Sequence, residues 1–379
     1  MTDSIQVVKQ LGKWILRPAE RKRAKREAKV RRDQDKFLAE RYPASARKLI
    51  LFFLDSADLH TGKELVSGGL LSIHSIFEET LRLKEWHCAE ALLCTVKGAY
   101  IFFEFSTFNS DRRVLRYEQL AKYFSAAEEI IAHVPEFIVE YFLGQLQQGR
   151  LKYLTSRKLH INILNQNIRL MPSPEIVAQL RPYAGTLTQT TAHERYANVH
   201  KRNQYGIPLH HFSTFIAPER YTFRRYEEKK KRIAFSPDDP EKNAIVIEKL
   251  RRELPEYEIV VIGGMTYEQF KEFISRTKFT FTFGEGLDGY YCETVLTGGI
   301  CFAVFNEEFF TPDFATLETV HKSFEALVDG CVEQIRNMDA TERFAGPNRR
   351  QFELLTDHYK FSTYQDNIRK FYLGEYTFQ

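Results

Sequence analysis

Cysteine is scarce in this chain: five in 379 residues, odd in number and nowhere spaced as CxxC. That excludes a disulfide framework of the secreted kind. The expectation for Cys88, Cys94, Cys292, Cys301 and Cys331 is reduced, mostly buried thiols in a cytoplasmic protein. His87-Cys88, with Cys94 nearby, has no second half at metal-ligand spacing, which argues against a zinc site. No uninterrupted apolar segment approaches the roughly 18–20 residues that span a bilayer. A short apolar core with a small-residue cleavage site is also missing near Met1, so no secretory signal is expected. The chain has neither GxxxxGKS/T nor a GxGxxG following a strand, which removes P-loop and dinucleotide-fingerprint chemistry. Internal repeats and low-complexity tracts are lacking as well.

What is there is globular material rich in rings. Hydrophobic residues make up 43% and charged residues 27%, which rules against disorder, and 31 Phe with 19 Tyr predict aromatic cores. The length suits two domains better than one. Charge is uneven: residues 1–40 carry twelve Lys/Arg and six Asp/Glu, a net of +6 against +4 for the whole chain. The body is therefore slightly acidic, and nucleic acid is not an expected partner. In IQVVKQLGKWILRP, residues Ile5, Val8, Leu11, Ile15 and Leu16 fall near one helical face with Lys9 and Lys13 between them. The basic run RKRAKREAKVRR follows. An interfacial helix and a polybasic patch are individually weak membrane signals that act together. Residues 1–32 are thus expected to hold a cytoplasmic protein on the inner face of an anionic membrane. A solvated helix, or one packed on a partner, is the alternative.

From about residue 46 the pattern alternates between strand and helix. Leu49 to Leu54 is a continuous apolar run, as a parallel strand covered on both faces requires. Further strands are predicted at 91–96, 128–134, 159–164 and 185–191, with helices in RYEQLAKYF, PEFIVEYFLGQLQQ and PEIVAQL. The polar segment Tyr221–Lys231 reads as a linker. A second alternation follows: RIAFS, EKNAIVIEKLRREL, YEIVVIGG, TYEQFKEFISRT and KFTFTFG. The tail after Pro347 reads as helical. The prediction is an α/β chain of two Rossmann-like doubly wound domains with a C-terminal helical tail and a basic N-terminal helical arm. The boundaries are an arm at 1–45, an acceptor-side domain at 46–220, a nucleotide-binding domain at 221–345 and helices at 346–379, packing back on the first domain. Ligands of such open sheets bind at the carboxyl ends of the strands.

Residues 284–306, GEGLDGYYCETVLTGGICFAVFN, place Glu285 just past a strand and Glu293 inside the following helix. A helix start attracts anions through its free N–H groups and dipole. Carboxylates there accept hydrogen bonds from diols. Together they suit a diphosphate and sugar hydroxyls; by spacing alone, the acids equally suit a helix start that they merely cap and charge.

The segment resembles the E-x7-E motif of retaining glycosyltransferases of the GT-B fold. The likeness covers about 231–310 in motif and the first half in architecture only. Thr294 stands where those enzymes usually carry Ala, and Thr297-Gly298-Gly299 varies their small-x-Gly. The resemblance implies a glycosyltransferase moving a sugar from a nucleotide-sugar donor to a glycan or lipid-linked saccharide, with retention and no catalytic metal or cofactor. It further implies that Glu285 meets the donor sugar, Glu293 holds the ribose diol, and the amides of Tyr290, Tyr291 and Cys292 face the diphosphate. Gly286 belongs to the same loop. A basic residue after the first strand of the second domain should neutralise the diphosphate; Lys242 is the first candidate, then Lys231 and Arg232, with Ser236 ending that strand. Gly263 and Gly264 should admit the base. Asp238-Asp239 lacks DxD spacing and is not read as a metal site. In the first domain, Gly68 and Gly69 form a candidate phosphate loop, Asn165, Gln166 and Asn167 line an acceptor pocket, and His193 orients a sugar hydroxyl. A catalytically inactive saccharide-binding protein of the same fold remains the alternative.

Overall fold

The computed structural model describes residues 18–42, 45–54, 68–96, 114–213, 217–284 and 286–379. Two all-parallel sheets organise them. The first has the strands β1 (Lys48–Leu54), β2 (Glu90–Thr95), β3 (Leu115–Arg116), β4 (Glu129–Pro135), β5 (Lys158–Asn165), β6 (Thr186–Thr191) and β7 (Leu209–His211) in the order β3-β2-β1-β4-β5-β6-β7. The apolar run of β1 is buried on both faces, as its lack of alternation predicts. Leu49, Leu51 and Phe53 face helix α4 (Val139–Gln147) and Leu38 of α1 (Pro18–Arg41). Ile50, Phe52 and Leu54 face α2 (Gly68–Arg82) and the last helix, α10 (Phe361–Leu373). The 3-10 turn Glu136–Ile138 separates β4 from α4, so the apolar stretch from 135 to 148 is not one helix. Between α2 and α4, α3 (Tyr117–Tyr123) covers the β3 edge.

The second sheet joins β8 (Lys230–Phe235), β9 (Glu258–Val261), β10 (Thr277–Thr282), β11 (Ile300–Val304) and β12 (Val320–His321) in the order β12-β11-β10-β8-β9. On one face, Phe235, Phe281 and Phe302 stack successively across β8, β10 and β11 at centroid separations of 4.9 Å. Helices α5 (Pro240–Glu253), α6 (Tyr267–Ser275), α7 (Gly289–Leu296) and α8 (Phe324–Met338) clothe this sheet. The strand order reverses between β1 and β4 in one lobe and between β8 and β10 in the other, which are the crevices where doubly wound sheets take ligands.

The segment between the lobes is short. β8 already begins at Lys230, so two residues assigned to the linker by composition belong to the sheet. Lys229, just ahead of it, is buried, and its Nζ donates to the carbonyls of Ser275 (2.8 Å), Thr297 (3.0 Å) and Thr277 (3.2 Å). Two of those carbonyls close α6 and α7, where helix dipoles favour a cation. Burial pushes the Lys229 amine down to about 7, yet three acceptors match three ammonium protons, so the geometry favours the charged form. The Gly-Gly pair has its explanation here too. Gly298 has φ +87°, and a Cβ on it would stand 2.5 Å from the carbonyl oxygen of Arg224 in the linker. The tail starts earlier than Pro347, which lies inside α9 (Thr341–His358). α10 then returns to the first lobe. There Tyr372 hydroxyl meets His133 Nε2 (3.1 Å) and Thr80 Oγ1 (2.8 Å), and His133 Nδ1 accepts from Asn162 (3.0 Å). All five cysteines are free thiols, four of them buried and Cys88 exposed.

Candidate functional site

The second-lobe crevice is built by the loops after β8 and β10. They touch: a Cβ on Gly284 would lie 3.2 Å from that of Asp238. Glu285 lies outside the described residues. Its neighbour Gly286 has φ +87° and backs directly onto Phe310, so the loop has one permitted shape there.

Asp288 caps α7. Its Oδ1 accepts the Tyr291 N–H (2.9 Å), its carbonyl accepts the Cys292 N–H (3.0 Å), and its other carboxylate oxygen takes the Thr282 hydroxyl. This corrects the expectation that the amides of Tyr291 and Cys292 face a diphosphate. The Asp288 carboxylate already takes the Tyr291 N–H, as an N-cap Asp does, and its backbone carbonyl takes the Cys292 N–H. Tyr290 N–H is not engaged in this cap; its half-buried ring sits edge-on to Phe270 of α6 at 5.8 Å.

Glu293 is buried at 5% exposure but makes no ion pair among the described residues. Its Oε1 accepts from Tyr267 of α6 (2.7 Å) and from Tyr221 of the interlobe segment (3.0 Å), and the two phenol oxygens stand 2.8 Å apart. Burial raises the Glu293 carboxyl to about 7, with the tyrosines pulling it down, Asp288 pushing it up and Lys271 pulling it down. Burial also holds both phenols above their ordinary range.

The basic candidates fare differently. Lys242 lies in the first turn of α5, but its Nζ pairs with Asp239, the cap of that helix, at 2.9 Å. Lys231 and Arg232 start β8 and pair with Asp339 and Glu258; they lie at the amino end of the strand, away from the crevice. The spacing of a basic residue from a strand says nothing about which end its side chain serves. Arg220, just ahead of Tyr221, is exposed, makes no ion pair among the described residues, and exerts its charge on both Tyr267 and His74 of α2. Ser236 is buried and bonded into the strand end, its N–H to the Phe281 carbonyl and its own carbonyl to Asn243. Gly263 and Gly264 follow β9 with open space where side chains would be, and Gly264 has φ +68°. A cavity of about 460 Å³ opens beside them between α5 and β9, lined by Pro237, Pro240, Asn243, Ile247 and Val261.

In the first lobe, Gly68 and Gly69 open α2, as expected, at the carboxyl side of β1. Asn165 ends β5 and is buried, and its Oδ1 and both amide atoms of buried Gln166 have no hydrogen-bond partner among the described residues. His193 follows β6, and its Nε2 bonds to the Gln166 carbonyl (3.0 Å); burial lowers its pKa, which favours the neutral imidazole. Its ring also meets Phe309 of the second lobe edge-on at 5.2 Å. Beside that contact Arg169 pairs with Glu308 (2.7 Å) and Arg195 with Glu307 (3.6 Å). Segment 306–310, which follows β11, therefore bridges the lobes and also carries the ring behind Gly286. Sequence reading passed over Tyr221, Tyr267, Asp288, Arg220 and this bridge. Only Asp288, a cap residue one position before a helix, carried a local signal.

No family model matches the chain, and no curated protein matches it in sequence. Solved structures do match it in shape. An alpha-glucosyltransferase solved with UDP-glucose and DNA containing an abasic site superposes with a TM-score of 0.58 at 12% identity, over 86% of this chain and 99% of that one. HepE of Anabaena, solved with UDP and glucose, gives 0.54 at 10%, covering 86% and 99%. Sucrose-phosphate synthase of Thermosynechococcus elongatus gives 0.53 at 12%, covering 86% and 98%. The fold is GT-B. Contacts join the two lobes at two places: His193 meets Phe309, whose neighbour Phe310 backs Gly286, and the charge of Arg220 reaches both His74 of the first lobe and Tyr267 of the second. Among the described residues no group of His, Cys, Asp and Glu is arranged to hold a metal ion, and no helix is long and apolar enough to cross a membrane.

Proposed function

We propose that the protein is a glycosyltransferase that takes a sugar from a nucleotide-sugar donor, of the UDP-hexose class, and moves it to a saccharide or lipid-linked saccharide in cell-surface polysaccharide assembly. The observation that carries this reading is Glu293, held on α7 at the switch point of a GT-B second lobe beside the loop of Glu285. Two neighbours of the same fold, the alpha-glucosyltransferase and HepE, were solved with UDP-glucose or UDP, which supports the donor class. In this reading Glu293 binds the ribose diol, Glu285 faces the sugar, and Gly263-Gly264 admits the base. Arg220 replaces Lys242 as the cation for the leaving diphosphate, so the barrier falls by fixed electrostatics without a metal. Retention follows from the resemblance to E-x7-E enzymes. The exposed stripe Arg21, Lys25, Lys29 and Arg32 on α1 supports docking on an anionic inner membrane face. Deleting residues 1–32 should abolish sedimentation with phosphatidylserine vesicles; unchanged sedimentation removes the membrane part.

A panel of nucleotide sugars assayed for nucleotide diphosphate release tests the activity. Slow donor hydrolysis that Glu285→Ala suppresses is expected, and no release from any donor defeats the transferase reading. Asp288 favours a second reading: because it occupies the start of α7, a saccharide-binding protein without transfer would fit. That version predicts saccharide binding with no nucleotide affinity.

A further inference from the structure

The oxygens of Glu293 Oε1, Tyr267 and Tyr221 form a nearly equilateral triangle with sides of 2.7, 2.8 and 3.0 Å. All three sides are hydrogen-bond distances. Two phenols supply two protons, so an ionised Glu293 would leave one side with lone pairs facing each other inside a dry site. Two donors to one carboxylate oxygen ordinarily stand well apart, whereas here the angle at Oε1 is roughly 60°. A proton on Oε1 removes the conflict. The acid O–H donates along the shortest side to Tyr267, Tyr267 donates to Tyr221, and Tyr221 donates back to Oε1 along the longest. Each oxygen then gives one bond and receives one.

We propose that Tyr221 and Tyr267 are positioning residues that hold Glu293 as a neutral acid in the ligand-free protein, and that a diol ligand displaces its proton. The inference rests on the reading of Glu293 as the ribose-binding acid. A diol donating two hydrogen bonds is bound best by a carboxylate, so the O–H bond of Glu293 breaks as the ligand enters and the proton passes to solvent. The charged and titratable groups facing the triangle are few. Asp288 on the same helix end opposes ionisation, Lys271 on α6 favours it, Tyr290 stands near as a neutral phenol, and Arg220 acts on Tyr267. Tyr221 comes from the interlobe segment, so a change in lobe orientation alters the ring without moving Glu293 itself.

Infrared difference spectra of the full-length ligand-free protein test the first half. Wild type should show, at pH 6, a carboxylic-acid carbonyl band that Glu293→Gln lacks and that disappears as pH rises past about 7. Tyr267→Phe removes the acceptor of the acid proton and should move that midpoint down, whereas loss of a phenol that only donated to the ionised carboxylate would move it up. No band difference between wild type and Glu293→Gln overturns the proposal, and an unmoved or raised midpoint in Tyr267→Phe overturns the ring. Calorimetry with UDP in two buffers of different ionisation enthalpy tests the second half. Release of close to one proton at pH 6, falling towards zero by pH 8.5, is expected; binding without proton release overturns the coupling. If the band is present and neither UDP nor UDP-glucose binds, the neutral acid stands and the donor reading of the site falls.

Discussion

Gly286 and Phe310 meet so closely that a Cβ built on the glycine would lie 2.3 Å from the ring's Cε2 atom. The glycine follows Glu285, and the phenylalanine ends the segment whose Glu307, Glu308 and Phe309 reach the other lobe. Loop shape on one side and lobe contact on the other are therefore set by one short stretch of chain.

Gly286→Ala should fail twice, through the clash and through φ +87°. A loss of about 2 kcal/mol in urea unfolding is expected, with nucleotide affinity falling at least tenfold. Adding Phe310→Ala relieves only the clash, so the double variant should recover part of the affinity while remaining below wild type.

The bridge itself should matter to geometry more than to stability. Arg169 and Arg195 are both about half exposed, and pairs of that kind contribute roughly 0–1 kcal/mol. The double variant Arg169→Ala with Arg195→Ala should melt within a few degrees of wild type. Small-angle scattering should show a larger radius of gyration, and donor KM should rise with kcat less affected.

Lys229→Met removes three hydrogen bonds to carbonyls in a buried place; the Thr297 carbonyl keeps the Arg224 N–H at 3.1 Å, while that of Ser275 loses the Lys229 donor. With a cost of about 1–3 kcal/mol per stranded group, a destabilisation of about 2 kcal/mol is expected. The second lobe should unfold first in hydrogen exchange, since two of those carbonyls end α6 and α7.

Glu293 gives the stability a pH dependence with a definite sign. Its folded-state pKa lies near 7, above the ordinary value of 4.5, so between those values the folded state holds a proton that the unfolded chain has lost. Stability from this group is complete below pH 4.5, declines by roughly 1.4 kcal/mol per pH unit at its steepest, and is gone above about pH 7. Urea unfolding of wild type minus Glu293→Gln, measured from pH 4.5 to 8, should trace that decline. A flat difference counts against it.

Much of the architecture was legible because it rests on local patterns. The unbroken apolar run at Leu49–Leu54 marks a strand buried on both faces, and Phe-Thr alternation over Phe279–Thr282 gives the second half of β10 one aromatic face and one hydroxyl face. The short strands β3, β7 and β12 escaped notice because two or three residues carry no period. Pro347 was taken to precede the tail helix, whereas α9 absorbs it. At the site, glycine positions and the placing of Glu293 on a helix after β10 were readable. The roles of Lys242, Tyr291 and Cys292 were not, because a neighbouring carboxylate claims the first two and the Asp288 backbone carbonyl claims the third.

The order of residues by itself determined that two parallel sheets form and that an acid stands at the start of a helix, since backbone periodicity and helix-start chemistry act over a few positions. Only the tertiary structure decided what that acid meets. Tyr221 lies 72 residues before Glu293 and Tyr267 lies 26 before it, on separate elements. Packing of α6 and the interlobe segment against α7 brings the three oxygens within 3.0 Å of one another, and no local rule specifies contacts made across such separations.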